Sequence, residues 1–217
     1  MVRILAFFLL VFTQLSASAE QHAAGHFVIS TDKSWIRVLV MRAGLLSGLG
    51  HNHVVASHDI AGTIDFASRF GESAVEFEFP VTKLEVDDPE SRDAEGDEFS
   101  GRVSEKDIRG TRKNMLGQKL LRAETYPLIV VRSTTVSGTI DQMTVTADVE
   151  ILGHTRSIVF PATASVTNQQ LEVSGEMRIT HADLGLTPYS AAFGTLKVAD
   201  EMTIRFLVVA YPTDTTT

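Results

Sequence analysis

The chain has 217 residues, of which 44% are hydrophobic, and its 27 acidic and 19 basic side chains give a formal net charge of −8. This length allows one domain with a sizeable core, and the acidic balance repels phosphate backbones and so argues against a nucleic-acid-binding protein. Cysteine is absent, so the domain has to be stable through its core without disulfides.

The first 19 residues have the layout of a secretory signal peptide. Arg3 supplies a positive charge, residues 4–15 are almost wholly apolar, and residues 16–19 are small and precede Glu20. The apolar run is shorter than the ~20 residues that a membrane-spanning helix needs, which disfavours the alternative of a membrane anchor. We therefore predict a leader over residues 1–19, a single domain over residues 20–217 without a transmembrane span, and a periplasmic location.

Alternation of apolar and polar residues is the main pattern of the remaining chain. In residues 74–79, for example, Val75, Phe77 and Phe79 alternate with alanine or glutamate. A period of two places each apolar set on one face of a β-strand. The predicted strands cover residues 35–42, 54–66, 74–79, 128–135, 144–151, 157–166, 171–180 and 202–208.

Gly153 and His154 separate two alternating runs, and Asn168 and Gln169 separate the next two, which indicates hairpin connections. About eight antiparallel strands, each with one apolar face, have to close into a barrel or stack as two sheets to bury those faces. A barrel does this without leaving exposed strand edges. We therefore predict an all-β fold, a closed antiparallel β-barrel.

One segment breaks the alternation. Residues 87–101 are acidic and turn-rich, and Ser104 with Asp107 three residues later is typical of a helix start. Gly110 and Gly117 favour two short helices over a single long one. Such a helical segment is predicted to cap one end of the barrel.

The charges around this segment have two interpretations. The acidic run is typical of a solvated loop, and a basic cluster follows it. Salt pairing between the two is the plain explanation, and contact of the cluster with an anionic lipid head group is the alternative. The cluster consists of Lys106, Arg109, Arg112 and Lys113.

Several motifs resemble the YceI family of exported lipocalin-like proteins. They are Asn-Met-Leu at 114–116 through Glu-Thr-Tyr-Pro at 124–127 with the strand after it, Gly-His-Thr-Arg at 153–156 inside a hairpin, and Met-Arg-Ile at 177–179 followed by Asp-Leu-Gly-Leu at 183–186. The resemblance covers most of residues 27–210. It implies an antiparallel barrel with an apolar lumen and, in some members, a bound polyisoprenoid chain.

Six residues are predicted to face the lumen: Phe77, Phe79, Met115, Leu120, Met177 and Phe206. They either fill the core or line a dry slot for an isoprenoid lipid or a similar chain, whose burial at ~25 cal/mol per Å² would give strong binding without polar contacts. No serine lies in a nucleophile-elbow motif. The predicted function is therefore a non-enzymatic periplasmic carrier for an apolar, isoprenoid-like or amphiphilic small molecule.

His51 and His53 suggest an alternative function. Residues i and i+2 of a strand project to the same side, so the two imidazoles could bind a divalent metal or haem with a further ligand, such as His154, His181 or an acid of residues 87–97. The protein would then be a redox or stress accessory protein.

The strand at residues 35–42 carries apolar residues on both faces. Either a subunit contact in a dimer or the helical segment lying over its outside would cover the second face.

Overall fold

The structure, a computed structural model, describes residues 24–45, 47–167 and 169–213. The predicted leader at residues 1–19 lies outside these residues. Among the helices in the described part of the chain, none is both long and apolar enough to cross a membrane.

The described residues form one sheet of twelve strands and two α-helices. The strands are β1 (Gly25–Ile29), β2 (Trp35–Ala43), β3 (His53–Ser57), β4 (Ala61–Phe66), β5 (Ala74–Pro80), β6 (Glu85–Val86), β7 (Leu128–Thr139), β8 (Gln142–Ile151), β9 (His154–Val166), β10 (Leu171–Thr180), β11 (Ser190–Ala191) and β12 (Leu196–Pro212). The helices are α1 (Pro89–Asp93) and α2 (Glu105–Leu116), both between β6 and β7.

The sheet closes into an antiparallel barrel with eight strand positions around its axis, and we call each position a wall. The first three walls consist of two strands each, β1 with β2, β3 with β4 and β5 with β6, and the other five are β7, β8, β9, β10 and β12. Each wall pairs with its neighbour in the chain, and β1 and β2 both pair with β12, which closes the ring. The predicted closed β-barrel is confirmed.

The prediction of one continuous strand over residues 54–66 is wrong. The wall breaks between β3 and β4, and β1 and β2 break beside it at residues 30–34. Ile60 is fully buried at the break, and the Thr31 hydroxyl donates to the Ile60 carbonyl at 3.1 Å. Burial of this side chain against residues of β1, β4, β10 and β12 takes the backbone out of the regular ladder, which an alternating pattern cannot show.

The two ends of the barrel differ. Because the walls run alternately up and down, the connections at residues 44–52, 87–127, 152–153 and 181–195 all lie at one end, which we call the capped end. The connections at residues 67–73, 140–141 and 167–170 lie at the opposite end. The helical segment therefore caps the barrel where the longest connections meet.

Helix α2 is a single helix of 12 residues, so the prediction of two short helices is wrong. The Ser104 hydroxyl accepts from the Asp107 N–H at 3.2 Å, and the helix ends at Leu116 with Gly117 as its C-cap. Met115 is buried in the core, and Arg112 donates to the backbone carbonyls of Thr82 and Leu84. These tertiary contacts outweigh the weak helix propensity of a central glycine.

Residues 87–101, which we call the strap, lie over the outside of β2 and β3. Phe99 of the strap packs on Leu39 and Val54, and all three are at most 5% exposed. The outer apolar face of β2 at Leu39 is therefore covered by the chain itself, by the acidic stretch before Ser104 and not by the helix predicted to begin there.

The strap acids do not pair with the basic cluster as predicted. Glu95, whose side chain is 2% exposed, accepts from Arg37 at 3.2 Å and from Arg205 at 2.5 Å on the outer barrel wall. Arg109 instead pairs with Glu105 of its own helix. The strap is thus tied to strands that are remote from it in sequence.

Substitution of Gly62 by alanine is expected to lower the free energy of unfolding by about 2 kcal/mol, because overpacking next to backbone cannot relax. A Cβ at this position of β4 would lie 2.1 Å from the Glu76 carbonyl oxygen and 2.6 Å from the Phe77 Cα. Urea denaturation measures the loss.

Gly110→Ala is the matched control for this prediction. A Cβ at Gly110 in α2 meets no atom within 4 Å, so this variant is expected to gain up to about 1 kcal/mol of stability. Equal effects of the two substitutions would contradict the close approach of β4 and β5.

A candidate binding cavity in the barrel lumen

The lumen contains a cavity of about 270 Å³. A single water molecule requires roughly 10–15 Å³ of such a volume. The cavity is therefore much larger than a packing defect. Barrels of eight strands either fill with side chains or hold one small ligand. The interior of this barrel is not filled by its own side chains.

All six residues predicted to face the lumen line the cavity: Phe77, Phe79, Met115, Leu120, Met177 and Phe206. Four of them come from the inward faces of β5, β10 and β12, and Met115 and Leu120 come from α2 and the turn after it. The segment after β6 thus forms the roof of the cavity at the capped end. That these residues bind a ligand stays a prediction.

Sequence reasoning missed part of the lining. Ile158 and Phe160 of β9, and Leu184 and Leu186 of the connection after β10, also border the cavity. Phe160 meets Phe206 edge to face, with ring centroids 5.6 Å apart. The alternation within residues 157–166 would have given the two β9 residues, whereas the two leucines lie in an irregular segment without a pattern.

The cavity wall is almost wholly apolar. Its polar residues are Ser57, Ser73 and His181, and no side chain of Asp, Glu, Lys or Arg borders it among the described residues. The Ser73 hydroxyl accepts from the Ala67 N–H at 3.0 Å. Since a buried charge requires a partner, this wall suits an uncharged, largely apolar molecule.

His51 and His53 lie close together, with ring centroids 6.4 Å apart. Nδ1 of His53 is 2.6 Å from Oδ2 of Asp87, so this nitrogen already has a carboxylate partner. Within residues 24–45, 47–167 and 169–213, no group of three or more His, Asp or Glu side chains could hold a metal ion. Metal or haem binding by this pair stays a prediction without further support.

Asp87 is the centre of a buried ionic group at the start of the strap. Its side chain is fully buried, accepts from the Val54 N–H at 3.0 Å and pairs with Arg92 at 2.5 Å, besides the contact with His53. Burial raises the pKa of Asp87. The hydrogen bond from His53, the charge of His53 and the hydrogen bonds from Val54 and Arg92 lower it by more than burial raises it. The pKa of Asp87 therefore lies below its ordinary value.

Arg92 extends this group to the neighbouring connections. It donates to the carbonyl oxygens of Asn52 at 2.7 Å and Gly101 at 3.0 Å. The group therefore fixes both ends of the strap and the connection at residues 44–52 to the rim of the barrel.

The sequence motifs noted above meet at the capped end. A Cβ at Gly153 would lie 2.8 Å from Tyr126, so the ring of Tyr126 packs on this turn. A Cβ at Gly185 would lie 2.5 Å from the Arg156 guanidinium. These contacts tie the motifs together at the rim of the barrel.

Comparison with known proteins gives the same picture. The YceI-like domain family matches residues 27–210. No curated protein sequence matches the chain.

Solved structures with the same fold include BcnA of Burkholderia cenocepacia, with a TM-score of 0.61 and 15% identity over 83% of this chain and 98% of that one. A polyisoprenoid-binding domain from Saccharophagus degradans, implicated in plant cell wall breakdown, has a TM-score of 0.56 and 11% identity over 88% and 100%. The Campylobacter jejuni YceI protein has a TM-score of 0.53 and 12% identity over 72% and 82%. At these identities, the likeness establishes the fold.

Proposed function

Since the chain belongs to the YceI-like family, we propose that it binds an apolar, isoprenoid-like or amphiphilic small molecule in the barrel lumen. The observation that carries this proposal is the cavity of about 270 Å³ with its apolar wall. Burial of a hydrocarbon chain there removes apolar surface from water at ~25 cal/mol per Å². A chain that buries ~200 Å² would gain about 5 kcal/mol before the costs of association.

We propose that the site serves binding, because the imidazole of His181 is the sole ionisable side chain that borders the cavity among the described residues. A catalytic site requires a nucleophile or a general acid or base positioned against the reacting atoms. The charged groups that are held most tightly, Asp87, Arg92 and Glu95, tie the strap to the barrel and do not border the cavity. The protein would therefore act as a carrier or store of its ligand.

We further propose that the carrier is exported and acts in the periplasm. The support for export is the leader-like sequence of residues 1–19 and the absence of cysteine from the chain. A closed apolar lumen is useful in an aqueous compartment, because a free apolar molecule crosses such a compartment only slowly.

Native mass spectrometry of the protein purified from its own host tests the function directly. We expect a non-covalent adduct with the mass of an isoprenoid-like chain, which disappears under denaturing conditions. The mass of the denatured chain is expected to correspond to a start at Glu20. Protein that arrives without an adduct and takes up no added farnesol would rule out the carrier role.

A further inference from the structure

His181 is the one ring with hydrogen-bonding atoms in the cavity wall, as far as the structure describes the chain. It directly follows β10 at the capped end and is 3% exposed. Its surroundings in the wall are apolar: Met177, Leu184 and Leu186 border the same cavity. A polar ring in such a place either has all its partners within the protein or offers an atom to a ligand.

The backbone around His181 is fixed. Its N–H donates to the Asp200 carbonyl at 3.0 Å, and its own carbonyl accepts from the Leu184 N–H at 3.1 Å and the Leu186 N–H at 2.8 Å. The contact of ring atom Nδ1 with the Asp200 carbonyl orients the ring on this fixed backbone.

The hydrogen bonds also determine which ring nitrogen carries the proton. Nδ1 lies 2.8 Å from the Asp200 carbonyl oxygen. Because a carbonyl oxygen only accepts, Nδ1 has to donate, and in the neutral ring Nε2 is then the acceptor. Nε2 has no hydrogen-bond partner among the described residues. Of the two serines in the wall, Ser73 has a partner for its hydroxyl, whereas the buried hydroxyl of Ser57 has none in the part of the chain that the structure describes.

We propose that Nε2 of His181 accepts a hydrogen bond from a hydroxyl group of the ligand. This inference rests on the proposed function and narrows its ligand to an uncharged isoprenoid-like alcohol, as opposed to a pure hydrocarbon or a chain with an ionised head group. An ionised head group would be buried in a wall that has no oppositely charged side chain. Nε2 is a neutral acceptor at the capped end and matches one hydroxyl there, whereas the unpartnered Ser57 hydroxyl lies at the other end of β3.

Two probes of nearly equal shape separate the hydroxyl from the hydrocarbon chain. Farnesol carries a terminal hydroxyl, and farnesene lacks it. Their affinities are measured by displacement of an environment-sensitive fluorophore from the lumen of the wild-type protein and of His181→Phe, which keeps a ring without nitrogen. His154→Phe, on the exposed turn at the same end, is the matched control.

We expect His181→Phe to raise the Kd of farnesol about three- to tenfold, as the loss of one neutral hydrogen bond implies, and to leave the Kd of farnesene unchanged or lower. His154→Phe is expected to change neither value. If His181→Phe weakens both probes equally or neither of them, the assignment of His181 is overturned while the proposed function stands. If the wild-type protein binds neither probe, the proposed function itself fails.

A measurement on the wild-type protein covers the case that His181→Phe does not fold. The ¹⁵N resonance of Nε2 in His181 shifts when its lone pair accepts a hydrogen bond. We expect this shift on addition of farnesol and not on addition of farnesene. The same response to both probes would overturn the assignment.

Discussion

Replacement of Asp87 by alanine is expected to lower the free energy of unfolding by about 3–5 kcal/mol, the usual effect of breaking a buried ion pair on one side. The carboxylate is fully buried and pairs with Arg92, whose side chain is 7% exposed. Without Asp87, the guanidinium stays buried next to His53 without a negative partner. Chemical denaturation of the two proteins measures the difference.

The chain contains a matched control for this prediction. His26 and Asp65 have the same separation of 2.6 Å as His53 and Asp87, but their side chains are 48% and 64% exposed. Because solvent screens an exposed pair, Asp65→Ala is expected to change the stability by less than about 1 kcal/mol. Equal losses in the two variants would show that burial of the Asp87 group contributes nothing.

The same group makes stability depend on pH. The pKa of Asp87 is lower in the folded protein than its ordinary value, so the unfolded chain takes up its proton first as the pH falls. The stabilisation by Asp87 is fully present above the pKa of the unfolded chain and is lost as the pH falls through the folded-state pKa. The stability difference between the wild-type protein and Asp87→Ala should therefore shrink only in acid.

Substitution of Val173 by tryptophan is expected to weaken binding of an isoprenoid-like chain roughly 50- to 100-fold. Val173 of β10 borders the cavity, and a larger side chain there occupies space that the ligand needs. Exclusion of ~100 Å² of apolar ligand contact corresponds to about 2.5 kcal/mol, which gives this ratio of Kd values. Fluorophore displacement by farnesol measures it.

Val159→Trp is the control for the lumen substitution. Val159 of β9 lies on the outer face and is 62% exposed, so a tryptophan there changes the surface and leaves the cavity as it is. Because the new ring at Val173 fills existing space, the variant should keep most of its stability. Normal binding by Val173→Trp would place the ligand outside the lumen.

Alternation predicted the barrel because each wall has one dry face, and this property is local to a few consecutive residues. The same reasoning gave Phe77, Phe79, Met177 and Phe206 as lining residues. It failed at residues 58–60, where Ile60 is buried through contacts with other walls. A pattern over a short window contains no information about such contacts.

The strap shows the limit of sequence reasoning more clearly. Its acids are abundant and next to a basic cluster, yet Glu95 binds Arg37 and Arg205, which are 58 and 110 positions away in the chain. Composition suggested a pairing between sequence neighbours, whereas the register of β2 and β12 determines which cations lie under the strap. Likewise, the sequence placed His181 among possible metal ligands, and only the carbonyl of Asp200 fixes its proton and the role of Nε2.

The closure of the barrel by its last long strand has a consequence for the nascent chain. Strand β12 bonds to β1 and β2 on one side and to β10 on the other, so the ring stays open until residues 196–212 have emerged. Until then, two unpaired strand edges and the apolar inner surface are exposed to solvent, and both promote association with other chains. Protection from self-association therefore comes all at once, with the final segment, and a chain cut short before Leu196 would lack it permanently.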